Sequence, residues 1–579
     1  MEIAHHPTPT NSEIKCRLDN FSSLAEALDY AAHGKTGINF YSAKGVLLEA
    51  LTYHDLSKQA KEAAFKLLTL GLKKGDRVAI IAESDSDFAR IFYGCQYAGL
   101  IPAPMPLPVA FAGKSTYINT LRGMIASASA QAVIIPKTIQ SWTKDITNGF
   151  TLKFGGSPEE LFNVTANSSI TLPIIQSEDL SYLQFSSGST RFPMGIAVTQ
   201  KSCLANTYAI SAHGLKIGKA EDRCVSWLPL YHDMGLVGFF ITPMTCQLTI
   251  DLLPTRDFAR RPHVWLDIIS RNRGTLSYSP SFGYELCTRR MPSTTLALDL
   301  SCWRAAGIGG DMIRSNILEE FAKSYASYGF NSKAFVASYG MAEATLALSF
   351  APLNTGLKTD TVDLECLENE NIAKLCKDPN KLTRTFTLCG PILPEHEIEI
   401  RDFEGNLVPE RMVGSIYVRG PSLMRGYFHQ EDETKKVLSP EGWLKTGDLG
   451  YLLKNEIVVT GREKDLIIVN GRNIWPQDLE WTAENEFSSL RSRDVAVISL
   501  ERDNQEIIVA LVQCRSINVE ERKKLQEEMT NLFRKQHGVD VSVILVPPHS
   551  LPQTSSGKLT RAGAKKMLLN GEFYDKFAN

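Results

Sequence analysis

The chain has 579 residues, of which 43% are hydrophobic and 22% are charged, and its formal net charge is −2 at pH 7. This length exceeds what one hydrophobic core supports, so two or more domains are expected. The near-neutral charge gives no reason to expect nucleic acid or an anionic membrane as a partner. The 11 scattered cysteines contain no C-x-x-C pair, which argues against a disulfide framework and favours reduced thiols in the cytoplasm.

Helices and strands alternate in the first part of the chain. Thr52 and Asp55 resemble a capping box that opens a helix through about Leu70. The Pro-rich run at 101–108 is predicted to be a connection, because repeated prolines disfavour a central strand. Further elements are predicted at 77–82 (strand), 87–98 (helix) and 131–136 (strand). This alternation predicts an α/β fold with a parallel, doubly wound sheet.

A loop rich in hydroxyl groups follows. Strand-like runs at 182–185 and 196–199 flank it. Its residues are Ser186, Ser187, Gly188, Ser189 and Thr190. Backbone N–H and side-chain O–H groups concentrated in this way suit phosphate oxygens, although the loop is not a Walker A motif. An ordinary hairpin turn rich in Ser and Gly has the same composition.

Beyond this loop the alternation resumes and then changes character. The apolar window at 236–253 is broken by polar residues, so we expect buried core and no stable membrane insertion. Short β runs from 390 to about 453 predict a small antiparallel or β-barrel-like unit. A boundary near 462–466 precedes a compact α/β piece, so we predict a large N-terminal domain at 1–463 and a small C-terminal α+β domain at 464–579.

Polar clusters follow several predicted strands. Ligands of doubly wound sheets bind beyond the carboxyl ends of the strands, so these clusters are expected to converge on one crevice. His232 beside Asp233 is suited to orienting a substrate, but a structural histidine fits the same pattern. Gly309 and Gly310 would let a flat ring approach the backbone and Asp311 offers an acceptor, although glycine-rich strand ends are common.

Three later positions carry further chemistry. Tyr339 is suited to stacking on a base and Glu343 to holding magnesium, whereas a strand-to-helix junction with a capping acid is the alternative. Asp448, between turn residues, is typical of a turn and also suits two ribose hydroxyls. Lys558, on a Gly/Ser loop, is typical of a surface lysine. It becomes a cation for developing negative charge if the small domain folds over the crevice.

These clusters, in this order, resemble the adenylate-forming superfamily of acyl-CoA synthetases, peptide-synthetase adenylation domains and luciferases. The resemblance runs from about Leu51 to Lys558, and it implies that the small C-terminal domain is mobile. The sequences YHDMGL at 231–236 and GRNIWPQDLE at 471–480 are similar to those of the fatty acyl-AMP ligases within it. Relatives usually have a lysine where this chain has Met194, so the charge of that lysine must come from elsewhere or be dispensable.

A long polar stretch also resembles those ligases. It lies at about 351–389, where most of the superfamily has a shorter link. In the fatty acyl-AMP ligases this insertion is associated with poor use of coenzyme A. A length-variable surface loop is the alternative interpretation.

The resemblance implies roles for individual positions. Thr190, Glu343 and Lys558 would be catalytic, with Glu343 binding Mg²⁺ and Lys558 contacting the carboxylate and α-phosphate oxygens. Lys464 would sit at the hinge. The ATP phosphates would be wrapped by Ser186, Ser187, Gly188, Ser189 and Thr190. The adenosine would be held by Gly309, Gly310, Asp311, Ser338, Tyr339, Gly340, Met341, Asp448 and Arg462. A long acyl chain needs an apolar tunnel, and the candidate contacts of the acyl substrate are Trp227, His232, Asp233, Met234 and Phe282; the apolar members of this set fit plain core equally well.

The implied reaction is adenylation of a medium- or long-chain fatty acid by ATP, followed by acyl transfer to the phosphopantetheine of an acyl carrier protein in a polyketide- or peptide-synthase pathway. Two alternatives stay open at this point. The chain could be an acyl-CoA synthetase, which differs in its thiol acceptor, or a non-catalytic protein that binds nucleotide or acyl-AMP.

Overall fold

The computed structural model describes residues 6–108, 113–185, 194–218, 221–292, 297–469, 472–502, 505–553 and 558–573. The hydroxyl-rich loop at 186–190, with Thr190, lies outside these residues. Up to residue 162 the alternating elements are α1 (Leu24–Ala31), β1 (Gly37–Tyr41), β2 (Leu47–Thr52), α2 (Tyr53–Thr69), β3 (Arg77–Ile81), α3 (Ser86–Ala98), β4 (Ile101–Met105), α4 (Lys114–Ser127), β5 (Ala132–Ile134), α5 (Thr143–Thr147), β6 (Phe154–Gly156) and α6 (Pro158–Phe162). The predicted N-cap is confirmed, since the Thr52 side chain accepts a hydrogen bond from the Asp55 N–H.

The middle of the chain continues the alternation. Its elements are β7 (Leu180–Phe185), β8 (Gly195–Thr199), α7 (Gln200–Tyr208), β9 (Arg223–Ser226), α8 (Thr242–Thr245), β10 (Thr249–Leu252), α9 (Thr255–Arg260), α10 (His263–Asn272), β11 (Leu276–Ser279), α11 (Ser281–Arg289), β12 (Ala305–Ile308), α12 (Ser315–Tyr325), β13 (Phe335–Gly340) and β14 (Ala347–Phe350). Two π-helical segments, at Ala209–Gly214 and Met234–Ile241, interrupt the regular pattern.

Antiparallel strands dominate the next part, as predicted. Its elements are β15 (Thr359–Asp363), α13 (Leu364–Glu370), β16 (Thr383–Pro391), β17 (Glu397–Arg401), β18 (Gly414–Arg419), β19 (Gly426–Tyr427), α14 (Glu431–Val437), β20 (Leu444–Leu453) and β21 (Glu456–Arg462). The remaining elements are β22 (Ile467–Val469), β23 (Arg472–Ile474), α15 (Pro476–Glu486), β24 (Val495–Arg502), β25 (Gln505–Gln513), α16 (Val519–His537), β26 (Val541–Val546) and α17 (Arg561–Leu569). The domain boundary near residue 463 stays a prediction.

The largest sheet has eight strands in the order β14-β13-β12-β11-β9-β10-β1-β2. Its interior pairs are parallel, and only the outermost strands β14 and β2 pair antiparallel with their neighbours. A second, fully parallel sheet has the order β4-β3-β5-β6. The carboxyl ends of β9, β11, β12 and β13 therefore meet at one edge of the large sheet, which is where the predicted clusters lie.

The remaining sheets frame that edge. The order β15-β16-β21-β20-β18-β17 forms a six-stranded antiparallel sheet, and β19-β8-β7 forms a smaller one, whose strands β7 and β8 flank the hydroxyl-rich loop in sequence. A two-stranded sheet, β22-β23, and a three-stranded sheet of order β24-β25-β26 follow, and α17 comes after them. No helix in the described part of the chain is long and apolar enough to cross a membrane.

One predicted connection is a strand. The prediction that 101–108 lacks a strand was wrong, because Ile101–Met105 pairs in parallel with β3. This strand lies at the edge of its sheet, where a missing N–H does no harm. Pro102 and Pro104 alternate with the non-proline residues Ile101, Ala103 and Met105. The N–H of Ile101 donates to the carbonyl of Asp76 at 2.9 Å. Because the two prolines are spaced by two residues, both lie on the same side of the strand, and the N–H groups on the other side remain free to pair with β3.

Gly307 has a packing role next to the cavity. It lies opposite Tyr278 on the neighbouring strand, and a Cβ atom at 307 would come within 2.0 Å of the tyrosine ring. We expect Gly307→Ala to lower the free energy of unfolding by about 1–3 kcal/mol through overpacking, measured by chemical denaturation. In a Tyr278→Val background, Gly307→Ala should lower the free energy of unfolding by clearly less. An equal loss in both backgrounds would contradict this cause.

Candidate active site

A cavity of about 770 Å³ lies at the carboxyl ends of β9, β11, β12 and β13. Residues beyond position 460, including Arg462, Lys464 and Lys558, complete its wall. The described residues on either side of the hydroxyl-rich loop, Phe185 and Met194, also line it. The structure thus brings the C-terminal part of the chain and the predicted strand-end clusters to a single cavity.

The loop after β12 lies close to β13. The Ser338 hydroxyl donates to the carbonyl of Ile308 at 3.0 Å. Gly310 has a positive φ of 75°, a conformation that favours glycine. Asp311 follows, and its Oδ1 accepts a hydrogen bond from the Met312 N–H at 3.0 Å. Gly309 and Gly310 both line the cavity, and Gly310 is exposed there whereas Gly309 is buried against Ser338.

Tyr339, Asp448 and Arg462 form one connected group. The Tyr339 hydroxyl donates to Asp448 Oδ2 at 2.9 Å, and Arg462 Nε lies 3.5 Å from Asp448 Oδ1. Asp448 and Arg462 face each other across the β20–β21 pair. Burial raises the pKa of Asp448, and Arg462 and the Tyr339 hydroxyl act against that rise. The carboxylate is therefore held in place by its neighbours at the cavity wall.

Glu343 follows β13 in a short turn. The Tyr427 hydroxyl donates to its Oε1 at 3.0 Å, and burial raises the pKa of the Glu343 carboxyl. Tyr427 belongs to β19, which pairs with the strand that follows the hydroxyl-rich loop. The sequence analysis missed Tyr427, because nothing in its local pattern points to a carboxylate more than 80 positions earlier.

His232 and Asp233 form a close pair. His232 Nδ1 lies 2.6 Å from Asp233 Oδ1, and the same oxygen accepts from the Met234 N–H at 2.7 Å. Burial acts to raise the pKa of Asp233, but His232 and Lys558 outweigh it, so the pKa is lowered. Asp233 is thus an ionised carboxylate on the cavity wall, within the electrostatic field of Lys558.

Lys558 enters the cavity from the C-terminal part of the chain. Burial lowers its pKa; Asp311 and Asp233 act to raise it, whereas Arg462 and Arg493 lower it further. Lys558 therefore lies within the electrostatic field of Asp311 and Asp233, while its catalytic role stays a prediction.

Arg561 anchors the segment that carries Lys558. Its Nη1 donates to Asp465 Oδ2 at 2.5 Å. Its Nε and Nη2 bind the two oxygens of Glu480 at 2.8 and 2.7 Å. A planar guanidinium suits this bidentate geometry. The sequence does not point to Arg561, since an isolated arginine at the first position of a helix carries no pattern of its own.

The apolar end of the cavity differs from the predicted set. Met234 and Phe282 line the cavity. Trp227 is buried behind Phe282, with ring centroids 5.6 Å apart, and stacks on Phe258 at 3.8 Å. Its role as a substrate contact stays a prediction. Apolar lining residues that the sequence analysis did not find are Ile210, Leu215, Gly238, Leu346 and Phe350. Two of them lie in the π-helical segments, which are frequent at functional sites.

Comparisons with known proteins give a consistent result. The family model of AMP-binding enzymes matches residues 39–428. A Caulobacter vibrioides protein, provisionally named an acyl-CoA synthetase, is 50% identical over 569 residues, which cover 98% of this chain and 99% of that protein. The medium-chain-fatty-acid–[acyl-carrier-protein] ligase JamA of Moorena producens is 31% identical over 574 residues, covering 95% and 96% of the two chains.

A solved structure is also similar over nearly the whole length. It comes from a study of fatty acyl-adenylate ligases from E. coli and L. pneumophila, and it superposes with a TM-score of 0.92 at 43% identity. The match covers 96% of this chain and 99% of that one.

Proposed function

We propose that this chain, which belongs to the AMP-binding enzyme family, activates a medium- or long-chain fatty acid with ATP to give acyl-AMP and pyrophosphate. The chain is an acid-adenylating ligase, so the proposal concerns its substrate and its site residues. It is carried by one observation: Lys558, the Asp448–Arg462 pair and an apolar end belong to the same cavity.

The reaction requires two anions to approach each other. An oxygen of the fatty acid carboxylate attacks the α-phosphorus of ATP, and the bond to the bridging oxygen breaks as pyrophosphate leaves. Positive charge that is already oriented in the cavity lowers the barrier. We assign this role to the Lys558 ammonium group, which Asp233 and Asp311 balance before the substrates bind. No protein nucleophile is needed.

The remaining residues hold the nucleotide. Asp448 would accept hydrogen bonds from the ribose hydroxyls, with Arg462 opposing the rise that burial causes in the pKa of that carboxyl. Tyr339 would stack on the adenine, while the backbone at Gly309 and Gly310 would frame its edge. These contacts fix the α-phosphate relative to Lys558, which is the orientation that the displacement requires.

Glu343 fits a magnesium ion that arrives with ATP. Among the residues that the structure describes, no group of three or more His, Cys, Asp or Glu side chains could hold a metal ion. Magnesium, however, usually takes only one or two carboxylates and completes its shell with substrate phosphates and water. Glu343 supplies one buried carboxylate on the cavity wall. When bound, the ion would neutralise phosphate charge and orient the pyrophosphate leaving group.

The direct test is an incubation of the purified protein with ATP, Mg²⁺, coenzyme A and fatty acids of graded length, read by mass spectrometry. Acyl-AMP without acyl-CoA is the expected product. The absence of an adenylate with every fatty acid would contradict the proposal. Abundant acyl-CoA would support the second candidate, an acyl-CoA synthetase, which the name of the Caulobacter relative favours.

Substitution of Lys558 tests its assigned role. We expect Lys558→Ala to slow acyl-AMP formation by roughly a hundred- to a thousandfold, with ATP affinity changed by only a few fold. Rapid-quench measurement of acyl-AMP and a binding titration with ATP separate the two effects. Normal adenylation in this variant would remove Lys558 from the mechanism.

The pH dependence gives a second test of the same residue. Burial lowers the pKa of Lys558 despite the opposing effect of Asp311, so its active, protonated form is lost as pH rises through a value below the ordinary lysine range. The parent enzyme should therefore lose activity on the alkaline side. In Lys558→Arg this loss should vanish from whatever activity remains, because a guanidinium stays protonated. An unchanged alkaline limb would assign it to another group.

We propose an acyl carrier protein as the acceptor of the acyl group. The relative JamA is named as a ligase of that kind. The insertion supports the proposal, because it is no loose surface loop. It contains β15 and α13, and apolar residues of these elements pack with Tyr451 and Trp475 in one buried cluster.

Polar contacts join the insertion to the segment after residue 470. Glu368 Oε2 accepts from Arg472 Nη2 at 2.5 Å, and Asn371 accepts from Asn473 at 2.9 Å. Arg384 Nε lies 2.9 Å from Asp478 Oδ1. We propose that these contacts restrain the C-terminal part and thereby disfavour coenzyme A as an acceptor.

The insertion contacts can be removed by substitutions on the insertion side. We expect the double variant Glu368→Ala/Arg384→Ala to form more acyl-CoA than the parent at an unchanged rate of acyl-AMP formation. Glu370→Ala is the matched control, since that carboxylate is exposed on the same helix. No gain in acyl-CoA, measured by chromatography, would remove the insertion from acceptor choice.

A further inference from the structure

Arg493 reaches into the cavity from the loop between α15 and β24. Its guanidinium carbon lies 4.2 Å from the centre of the Phe282 ring, and its Nη2 lies 3.5 Å from Asp311 Oδ2. Phe282 belongs to α11 and Asp311 follows β12, so one side chain contacts two separate elements of the large sheet region. Phe282, Asp311 and Arg493 all line the cavity.

The backbone of Arg493 is held in an unusual conformation. Its φ is 71°, in the left-handed region that non-glycine residues seldom adopt. The Arg493 N–H donates to Glu484 Oε1 at 2.6 Å, which fixes the turn. Such strain is retained where the surrounding structure demands a particular side-chain placement. At this position the strained backbone directs the Arg493 side chain toward Asp311.

Glu484 connects this turn to the N-terminal part. Its other oxygen accepts from Arg314 Nη1 at 3.1 Å, and both side chains are nearly buried. Arg314 also donates to Ser492 at 2.9 Å, and Ser492 donates to Glu285 at 2.5 Å. The loop at 491–494 is therefore docked against α11 and α12 by a continuous polar network.

Arg493 and Lys558 share an acidic neighbour. Asp311 pairs with Arg493 and lies close enough to Lys558 to raise the pKa of the lysine, whereas Arg493 lowers it. Asp311 is therefore a shared acidic neighbour of two cations that act on each other electrostatically. They come from different ends of the C-terminal part, one after α15 and the other before α17.

We propose that Arg493 is a positioning residue for adenylation, which docks the C-terminal part through Phe282 and Asp311 and so keeps Lys558 in the cavity. This inference rests on the proposed function, because it assigns Lys558 to the adenylation step. Arg493 acts through Lys558 in this view and needs no contact of its own with the substrate.

Arg493→Gly separates positioning from folding. Glycine adopts the left-handed conformation without strain, so the variant should unfold at the same temperature as the parent or higher. We expect kcat for acyl-AMP formation to fall roughly ten- to a hundredfold, because misplacement by about 1 Å is costly. KM for ATP should change less than about twofold, since Tyr339, Asp448 and Arg462, to which the nucleotide contacts are assigned, are not substituted.

Two further variants serve as controls. Arg493→Lys keeps the charge and most of the reach, so it should recover part of the lost kcat. Arg491→Ala removes an exposed arginine of the same loop and should leave kcat unchanged. Parent-like kcat in Arg493→Gly would overturn the proposal, as would an equal loss in Arg491→Ala.

A readout without turnover distinguishes this proposal from the proposed function. Acetylation of Lys558 by acetic anhydride, followed by peptide mass spectrometry, reports its accessibility, with the exposed Lys566 as internal reference. Lys558 should react faster in Arg493→Gly than in the parent, even if no fatty acid is adenylated. An unchanged ratio of Lys558 to Lys566 labelling would contradict positioning by Arg493.

Discussion

Charges in the cavity must be paired, because an unpaired charge removed from water is strongly unfavourable. Burial raises the pKa of Asp448, and the positive charges of Arg462 and Lys558 act to lower it. Burial lowers the pKa of Lys558, and the carboxylates of Asp311 and Asp233 act to raise it. Asp233 and Asp311 follow strands of the large sheet, whereas Lys558 precedes α17 near the end of the described chain. Packing of the C-terminal part onto the large sheet is therefore what completes the charge balance, and the same contact completes the site.

Two buried carboxylates in this cavity have opposite pKa shifts. Burial raises the pKa of Glu343, which accepts a hydrogen bond from the neutral Tyr427 hydroxyl. Asp233 has His232 and Lys558 beside it, and its pKa is lowered. Carboxyl groups whose pKa values are shifted in opposite directions by their surroundings are typical of functional sites. Asp233 is suited to holding a cation of the protein, and Glu343 to receiving one that arrives with a substrate.

Much of the fold could be predicted from local patterns. The N-cap at Thr52 and the alternation of strands and helices depend on neighbours in sequence, and both are confirmed. The resemblance to fatty acyl-AMP ligases, inferred from ordered motifs, is confirmed by a solved structure. The strand at 101–105 could not be predicted, because its prolines are tolerated only at a sheet edge. The polar insertion concealed a strand and a helix whose few apolar residues pack against distant ones.

The sequence by itself determined the residue types and their order, since the strand-end clusters are short segments with chemistry of their own. Only the tertiary structure decided which side chains support them. Tyr427 beside Glu343, Arg561 across Asp465 and Glu480, and Arg493 between Phe282 and Asp311 are pairs that no local pattern specifies. The physical reason is that these contacts depend on how sheets and loops far apart in sequence pack, and the energy of a buried charge is set by that packing.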